Sequence, residues 1–294
     1  MRRSAGAGSR RRLVVSGVGA LLLLVCGIAV SQLPGAGASG LLHPSRRRIV
    51  GPPPAICRET TFAVDGVTLQ GWQCPASAAR RATLVYLHGV ADNRAGAAGV
   101  AARFGRRGFD VVAYDSRAHG ESAGDACTYG FFEKNDLHNV LDTVRPGPIV
   151  LIGTSLGAGV ALQEAAHDPR VTAVVAAETF SDLRTVATER APVFFTSWVI
   201  ARAFTVAEQQ ARFSVDAVSP VVAAAAITQP VLLIHGEADT ETPPNHSRRV
   251  LAALAGPKRL ILVPGAGHNE SLRGEVWDEI ERWIDSVLTP RIDP

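Results

Sequence analysis

The sequence predicts an α/β fold in which a mostly parallel central sheet carries helices on both faces. Short aliphatic runs alternate with stretches of helical spacing from Ala82 to near the C-terminus. That alternation is typical of βαβ units, whose crossover helices cover the sheet. The run from Ile149 enters a glycine-flanked turn, and helical spacing follows from Leu156. In such a sheet the reactive groups are expected beyond the carboxyl ends of the strands.

Length and charge distribution indicate one large domain behind a basic leader. The chain has 294 residues, of which 47% are hydrophobic, enough for a substantial core. Residues 1–48 contain eight arginines and no acidic residue; since the whole chain carries +3, the remainder carries −5. The main domain is therefore mildly acidic, which argues against nucleic acid as a partner.

The leader has the pattern of a membrane anchor. Five arginines precede an uncharged run from Leu13 to Val30, which lies near the lower length limit for spanning a bilayer. Basic residues before that run favour a cytoplasmic N-terminus. We expect residues 1–38 to be a transmembrane signal anchor, or a signal peptide cleaved near residue 31 or 38. Residues 39–56, with the Pro-rich 51–54, are predicted as a linker. The domain over 57–290 would be extracytoplasmic and membrane-anchored, or secreted after cleavage.

A β-hairpin is predicted at the start of this domain. Two strand-like runs, 60–64 and 67–72, flank Asp65-Gly66, a strong signal for a two-residue turn. Pairing Val64 with Val67 sets Cys57 opposite Cys74 in a non-hydrogen-bonded pair, where side chains approach closely. An extracytoplasmic domain would allow a disulfide between them. The alternatives are two free thiols, or a bond from Cys57 to Cys127.

The remaining elements follow in alternation. Strands are expected at 82–89, 109–115, 149–154, 171–177, 230–235 and 259–263, and helices at 94–106, 133–144 and 156–166. The stretch from 181 to 229 is largely helical in pattern and too long for a plain connection, so we interpret it as a small helical cap. Its aromatic residues either line an apolar substrate pocket or pin the cap to the body; they are Phe194, Phe195, Trp198 and Phe204.

The glycine-flanked turn, Gly153-Thr-Ser-Leu-Gly157, fits the G-x-S-x-G nucleophile elbow in its strand–turn–helix setting. A sharp turn lifts the hydroxyl of Ser155 out of the sheet, and glycines avoid clashes on both sides. The following helix directs its N–H groups towards a reacting carbonyl. The alternative, a phosphate-binding turn, lacks both G-x-G-x-x-G and G-x-x-x-x-G-K.

An elbow serine requires an acid and a histidine, in that order along the chain. His268 is the histidine in the glycine-rich loop after the last predicted strand, so we assign it as the base. The acid is expected in the loop after the preceding strand. Asp239 is our choice there; Glu237 and Glu241 are the alternatives. Its carboxylate would fix the imidazole tautomer and stabilise the charged form.

The oxyanion hole requires two backbone N–H groups. One is expected from Leu156, which follows the nucleophile, and the other from Val90, which follows His88-Gly89. A polar cluster over 115–122 is interpreted as a hydrogen-bonded loop that supports the site, with a metal site as the alternative; its supporting residues are Asp115, Arg117 and His119.

These motifs together resemble the α/β-hydrolase superfamily, and within it the membrane-anchored, Bem46-like serine hydrolases. The resemblance spans about 42–288 and is carried by residues 87–89, 114–120, 153–157, 233–239 and 267–268. Ala118 and Val90 depart from the family's usual residues without removing a catalytic group. The resemblance implies hydrolysis of a small-molecule or lipid-like acyl ester or thioester, with no metal or cofactor. A peptidase or an acyltransferase with the same triad, or a non-catalytic membrane-anchored binding protein, is the alternative.

Overall fold

The structure is a computed structural model that describes Gly27 and residues 30–289. In this part of the chain eight strands form one sheet in the order β1-β2-β4-β3-β5-β6-β7-β8. Strands β3 to β8 are parallel, whereas β1 and β2 form an antiparallel edge. The strands are β1 Arg58–Val64, β2 Val67–Cys74, β3 Ala82–Leu87, β4 Phe109–Tyr114, β5 Ile149–Thr154, β6 Val171–Ala177, β7 Val231–Gly236 and β8 Lys258–Val263. The predicted mostly parallel sheet is confirmed.

Helices cover both faces of this sheet. A helix over residues 30–42, here α1, comes first. A 3₁₀ turn at Arg94–Gly96 replaces the start of the predicted 94–106 helix. The other helices are α2 Ala97–Gly105, α3 Glu133–Leu141, α4 Leu156–Ala165, α5 Leu183–Glu189, α6 Ser197–Ala211, α7 Pro220–Ala224, α8 Asn245–Ala253 and α9 Glu275–Leu288. Helices α5 to α7 lie between β6 and β7, where the cap was expected.

The central strands supply two separate cores because successive side chains point to opposite faces. In β5, Leu151 joins a cluster with Leu156 and Leu233. Its neighbour Ile152 joins the cluster on the other face, with Leu232 and residues of α2 and α9. The sheet is therefore buried on both sides, which explains why its strands are continuous aliphatic runs rather than alternating ones.

The edge hairpin has the predicted register. Val64 pairs with Val67, and Arg58 pairs with Gln73 at the far end. Cys57 and Cys74 therefore face one another, and the structure joins them in a disulfide with an S–S distance of 1.99 Å. Cys127 is buried and has no disulfide partner among the residues that the structure describes.

Helix α1 changes the expected layout of the N-terminal region. Residues 39–42 are helical, although the predicted linker begins at 39. The helix continues because Pro34, Ala38 and Leu42, four residues apart, form a buried stripe, and Ala38 and Leu42 pack in one cluster with residues of the cap. The predicted membrane segment from Leu13 to Val30 lies outside the described residues except for Gly27 and Val30. Within the described part of the chain, no helix has the length and apolar composition needed to cross a membrane.

Candidate active site

Ser155 occupies a strained turn between β5 and α4. Its φ is 49° and its ψ is −109°, a region in which a non-glycine residue costs about 1–3 kcal/mol. The flanking glycines are required by space. A Cβ on Gly153 would lie 2.3 Å from the carbonyl oxygen of Gly157, and a Cβ on Gly157 would lie 2.2 Å from that of Leu87. The tight packing of β3, β5 and α4 therefore holds the serine in place.

The structure brings the three expected catalytic side chains together from the turns and loops that follow β5, β7 and β8. His268 Nε2 lies 3.0 Å from Ser155 Oγ, and His268 Nδ1 lies 2.7 Å from Asp239 Oδ2. Since an ionised carboxylate can only accept, Nδ1 carries the proton and Nε2 accepts from the serine hydroxyl. This arrangement lets the imidazole remove a proton from Ser155.

Asp239 is held as an anion by its surroundings. Its Oδ1 accepts hydrogen bonds from the backbone N–H groups of Glu241 and Thr242, at 2.9 and 2.8 Å. Burial opposes ionisation, but hydrogen bonds from His235, His268 and Thr242 outweigh it and hold the pKa of Asp239 well below its usual range. The carboxylate is therefore ready to orient the base and to stabilise its charged form.

The expected oxyanion hole lies between α4 and the loop after β3. Leu156 begins α4 directly after Ser155, and a Cβ built on Gly89 would lie 3.5 Å from Ser155 Cβ. His88 fixes this loop because its Nδ1 donates to the Gly89 carbonyl at 2.7 Å and its Nε2 accepts from the Ser116 N–H at 2.9 Å. Burial lowers the pKa of His88, so the ring stays neutral in this role. Val90, the expected second donor, directly follows Gly89 in this loop.

The polar cluster after β4 is a network of hydrogen bonds. Asp115 accepts from the N–H and the guanidinium of Arg94 and from the N–H of Glu121. Arg117 makes two contacts to Asp136, at 2.6 and 2.5 Å. The Asp115 oxygens are occupied by these donors, which favours the supporting role over the metal site.

His119 belongs to the same cluster and is fully buried. Its Nδ1 lies 2.9 Å from the Arg117 carbonyl, whereas its Nε2 has no hydrogen-bond partner in the described part of the chain. Burial lowers the pKa of His119 to about 4, so this ring is neutral. Its ring centroid lies 5.2 Å from that of His88, which links the cluster to the loop beside Ser155.

A different set of residues in the described part of the chain comes within metal-binding distance. These are His138, Glu164 and Asp168, whose ligand atoms lie within 4.8 Å of one another. Asp168 is already paired with Arg170, at 2.6 Å. The set lies on and after α3 and α4, away from the triad loops, and the chemistry at Ser155 does not require it.

Two residues of the site were not predicted from the sequence. Glu178 follows β6 with a φ of 55° and is buried. Its carboxylate accepts from the N–H groups of Asn269, Glu270 and Ser271, at 2.7 to 3.1 Å. It therefore anchors the loop that carries His268. The signal that could have identified Glu178 is its position as a polar residue directly after an aliphatic strand.

The second missed residue is Arg190, just after cap helix α5. Its Nη2 lies 3.2 Å from His268 Nε2 and 2.7 Å from Thr242 Oγ1. The guanidinium therefore shares the imidazole lone pair with the Ser155 hydroxyl. No sequence pattern predicts the contact between Arg190 and His268, because it depends on how the cap packs over the sheet.

Two protein families match parts of the chain. One, of the alpha/beta hydrolase fold, matches residues 82–218, and one described as TAP-like protein matches residues 199–291. The uncharacterised protein YfhR of Escherichia coli strain K12 is 28% identical over 287 residues, which cover 92% of this chain and 95% of YfhR. The uncharacterised protein YqkD of Bacillus subtilis strain 168 is 30% identical over 196 residues, 63% and 64% of the two chains.

Solved structures share this architecture at low sequence identity. The esterase Pf2001 of Pyrococcus furiosus superposes with a TM-score of 0.65 at 21% identity, covering 84% of this chain and 97% of the esterase. Acetyl xylan esterase 1 of Thermoanaerobacterium gives 0.62 at 18% identity, with 88% and 94% covered. The acylaminoacyl peptidase of Pyrococcus horikoshii gives 0.64 at 15%, with 81% and 42% covered. Because these likenesses agree with the sheet order and with family matches that together span 82–291, the chain belongs to the α/β-hydrolase superfamily.

Proposed function

We propose that the protein is a serine hydrolase that cleaves carboxylic esters or thioesters through an acyl-enzyme on Ser155. The contacts that carry this proposal are those of His268, whose two nitrogens lie within hydrogen-bond distance of Ser155 and Asp239. Two structures that share the fold are esterases by name, and their likeness adds support for this class of reaction.

The reaction begins when Ser155 Oγ attacks the carbonyl carbon while His268 Nε2 takes the hydroxyl proton. The carbonyl oxygen becomes an oxyanion, which the backbone N–H groups of Val90 and Leu156 stabilise. The intermediate collapses when the bond from the carbonyl carbon to the leaving group breaks. The leaving atom is the alcohol oxygen of an ester or the thiol sulfur of a thioester, and His268 gives its proton to it. A water molecule then attacks the acyl-enzyme in the same way, with His268 again as the base, and releases the carboxylic acid and free Ser155.

Fluorophosphonate labelling of the purified protein, together with turnover of a simple ester, tests this proposal. A fluorophosphonate reacts only with an activated serine, so we expect one adduct, mapped by mass spectrometry to the peptide containing Ser155. Peptides should be cleaved more slowly than the ester. An added alcohol should accept the acyl group more slowly than water does. Faster peptide cleavage or acyl transfer would favour the peptidase or acyltransferase alternatives. An unlabelled protein without turnover would indicate a binding protein.

We also propose that the domain is held at the extracytoplasmic face of a membrane, or is secreted if the leader is cleaved. The arginine-flanked run from Leu13 to Val30 is the main support. A disulfide between Cys57 and Cys74 suits an oxidising compartment. The cap also exposes Val193, Phe194 and Trp198, and exposed apolar groups of this kind suit a lipid interface.

Cell fractionation followed by thiol alkylation tests the location. We expect the protein to sediment with membranes and external protease to reach the domain. Cys57 and Cys74 should resist alkylation until a reductant is added. Full-length protein in the soluble cytosolic fraction, with both thiols free, would contradict this location.

A further inference from the structure

An apolar cavity of about 540 Å³ lies between helix α1 and the cap. Helix α1 contributes one wall, which includes Leu33, Gly37, Gly40 and Leu41. Cap residues such as Val186 and Phe204 contribute the facing wall. Because this lining is almost wholly apolar, the cavity suits a hydrocarbon chain.

One end of the cavity is lined by two residues that border the candidate active site. Val90, the expected oxyanion donor, lines it, and so does Arg190, whose Nη2 lies 3.2 Å from His268 Nε2. Arg190 is the one charged residue among the described residues that line the cavity, and it stands at this end. An acyl group bonded to Ser155 Oγ would therefore have its carbonyl at the polar end and its chain in the apolar part.

A second cavity, of about 720 Å³, is also lined by Val90. Its lining includes Gly89, Thr154 and Asn269 from the site, together with charged residues. The charged residues are Arg47, Asp92, Arg103 and Glu178. This lining is more polar than that of the first cavity, although it includes Val100, Leu272 and Trp277. It therefore suits the alcohol part of an ester, and the two cavities give the acyl and alcohol sides of a substrate different surroundings.

Two glycines of α1, Gly37 and Gly40, differ in the space around them. A Cβ on Gly37 would lie 2.9 Å from the Phe195 ring and 3.0 Å from Ala203 Cβ, so Gly37 allows the helix to approach the cap closely. A Cβ on Gly40, which also lines the cavity, has no atom of another described residue within 4 Å. Gly40 therefore leaves open a part of the cavity edge that a larger side chain would fill.

We propose that helix α1 forms one wall of the acyl-chain site and that Gly40 sets the length of the chain that the enzyme accepts. This inference rests on the proposed hydrolase function and adds the substrate class: esters of an extended, apolar acyl chain with a polar alcohol. The specificity of the enzyme then depends on a segment that precedes the hydrolase domain in the sequence.

The test compares Gly40→Phe with Gly35→Phe in the full-length protein, assembled in phospholipid nanodiscs, on p-nitrophenyl esters from acetyl through octanoyl to palmitoyl. Within the residues that the structure describes, both glycines have open space around a Cβ and lie on the same helix, but Gly35 does not line the cavity. Excluding two methylene groups from an apolar site costs about tenfold in binding. We expect the octanoyl-to-acetyl ratio of kcat/KM to fall about tenfold or more in Gly40→Phe and to stay unchanged in Gly35→Phe.

A second variant changes the cavity in the opposite direction. Leu41 lines the cavity with its side chain, whereas its carbonyl accepts the Tyr129 hydroxyl and is retained in Leu41→Ala. We expect this variant to raise the palmitoyl-to-octanoyl ratio. Turnover of acetyl ester with an unshifted chain-length profile in Gly40→Phe would overturn the acyl-site proposal alone. Absence of turnover on every ester in the parent protein, with no fluorophosphonate label, would overturn the hydrolase function and this inference together.

Discussion

Replacing Ser155 with alanine is expected to lower kcat for ester hydrolysis by about 10⁴-fold or more, because the residues of a triad act as a unit. The change removes the attacking oxygen while the elbow, the base and the acid remain. Initial rates on a chromogenic ester measure it. Loss of fluorophosphonate labelling in the same variant would show that the label and the turnover depend on one atom.

Two further variants make this result interpretable. Ser197→Ala, at an exposed position at the start of α6, should keep parental rates. Ser155→Gly should also lose turnover but unfold at a temperature no lower than that of Ser155→Ala, because glycine tolerates the positive φ at this turn. Substantial turnover in Ser155→Ala, measured on folded protein, would mean that another group is the nucleophile.

Replacing Asp239 with asparagine should lower kcat by about 10³- to 10⁴-fold with little change in the fold. The amide oxygen can still accept from the N–H groups of Glu241 and Thr242. The amide NH₂, however, faces His268 Nδ1 and donates to it. His268 then carries its proton on Nε2, where it can no longer accept the proton of Ser155. Steady-state kinetics at neutral pH give the measurement.

The same loop offers matched controls for this substitution. Glu237→Gln and Glu241→Gln each remove one exposed carboxylate near Asp239 without changing its size. Both variants should keep turnover close to the parental value. If Asp239→Asn retains near-normal turnover while Glu237→Gln loses it, the assignment of the acid is wrong.

The sheet could be predicted from the sequence because its signals are local. Aliphatic runs such as 149–154 and 231–236 are long enough to form buried strands and are separated by helical spacing. The hairpin at Asp65-Gly66 follows from turn chemistry within two residues. The order of serine, acid and histidine follows from the order of the strands, and the structure places these side chains in contact.

Other features depend on contacts between distant segments and were not predictable in this way. Helix α1 contains Pro34, Gly35, Gly37 and Gly40, a composition that favours a loop. It is helical in the structure because its buried stripe packs against the cap. Glu178 acquires its role from amides about ninety residues further along the chain. Neither partner can be identified from spacing in one sequence.

The distance along the chain between Ser155 and His268 has a consequence for synthesis. The two residues in contact are 113 positions apart, and β7 and β8 lie between the nucleophile and the base. During synthesis, the elbow and the loop of Val90 are therefore complete long before His268 is added to the chain. A chain truncated before β8 has its nucleophile without its base. If the proposed function holds, hydrolysis begins only after the last parallel strand has joined the sheet, and an unfinished chain has no activity.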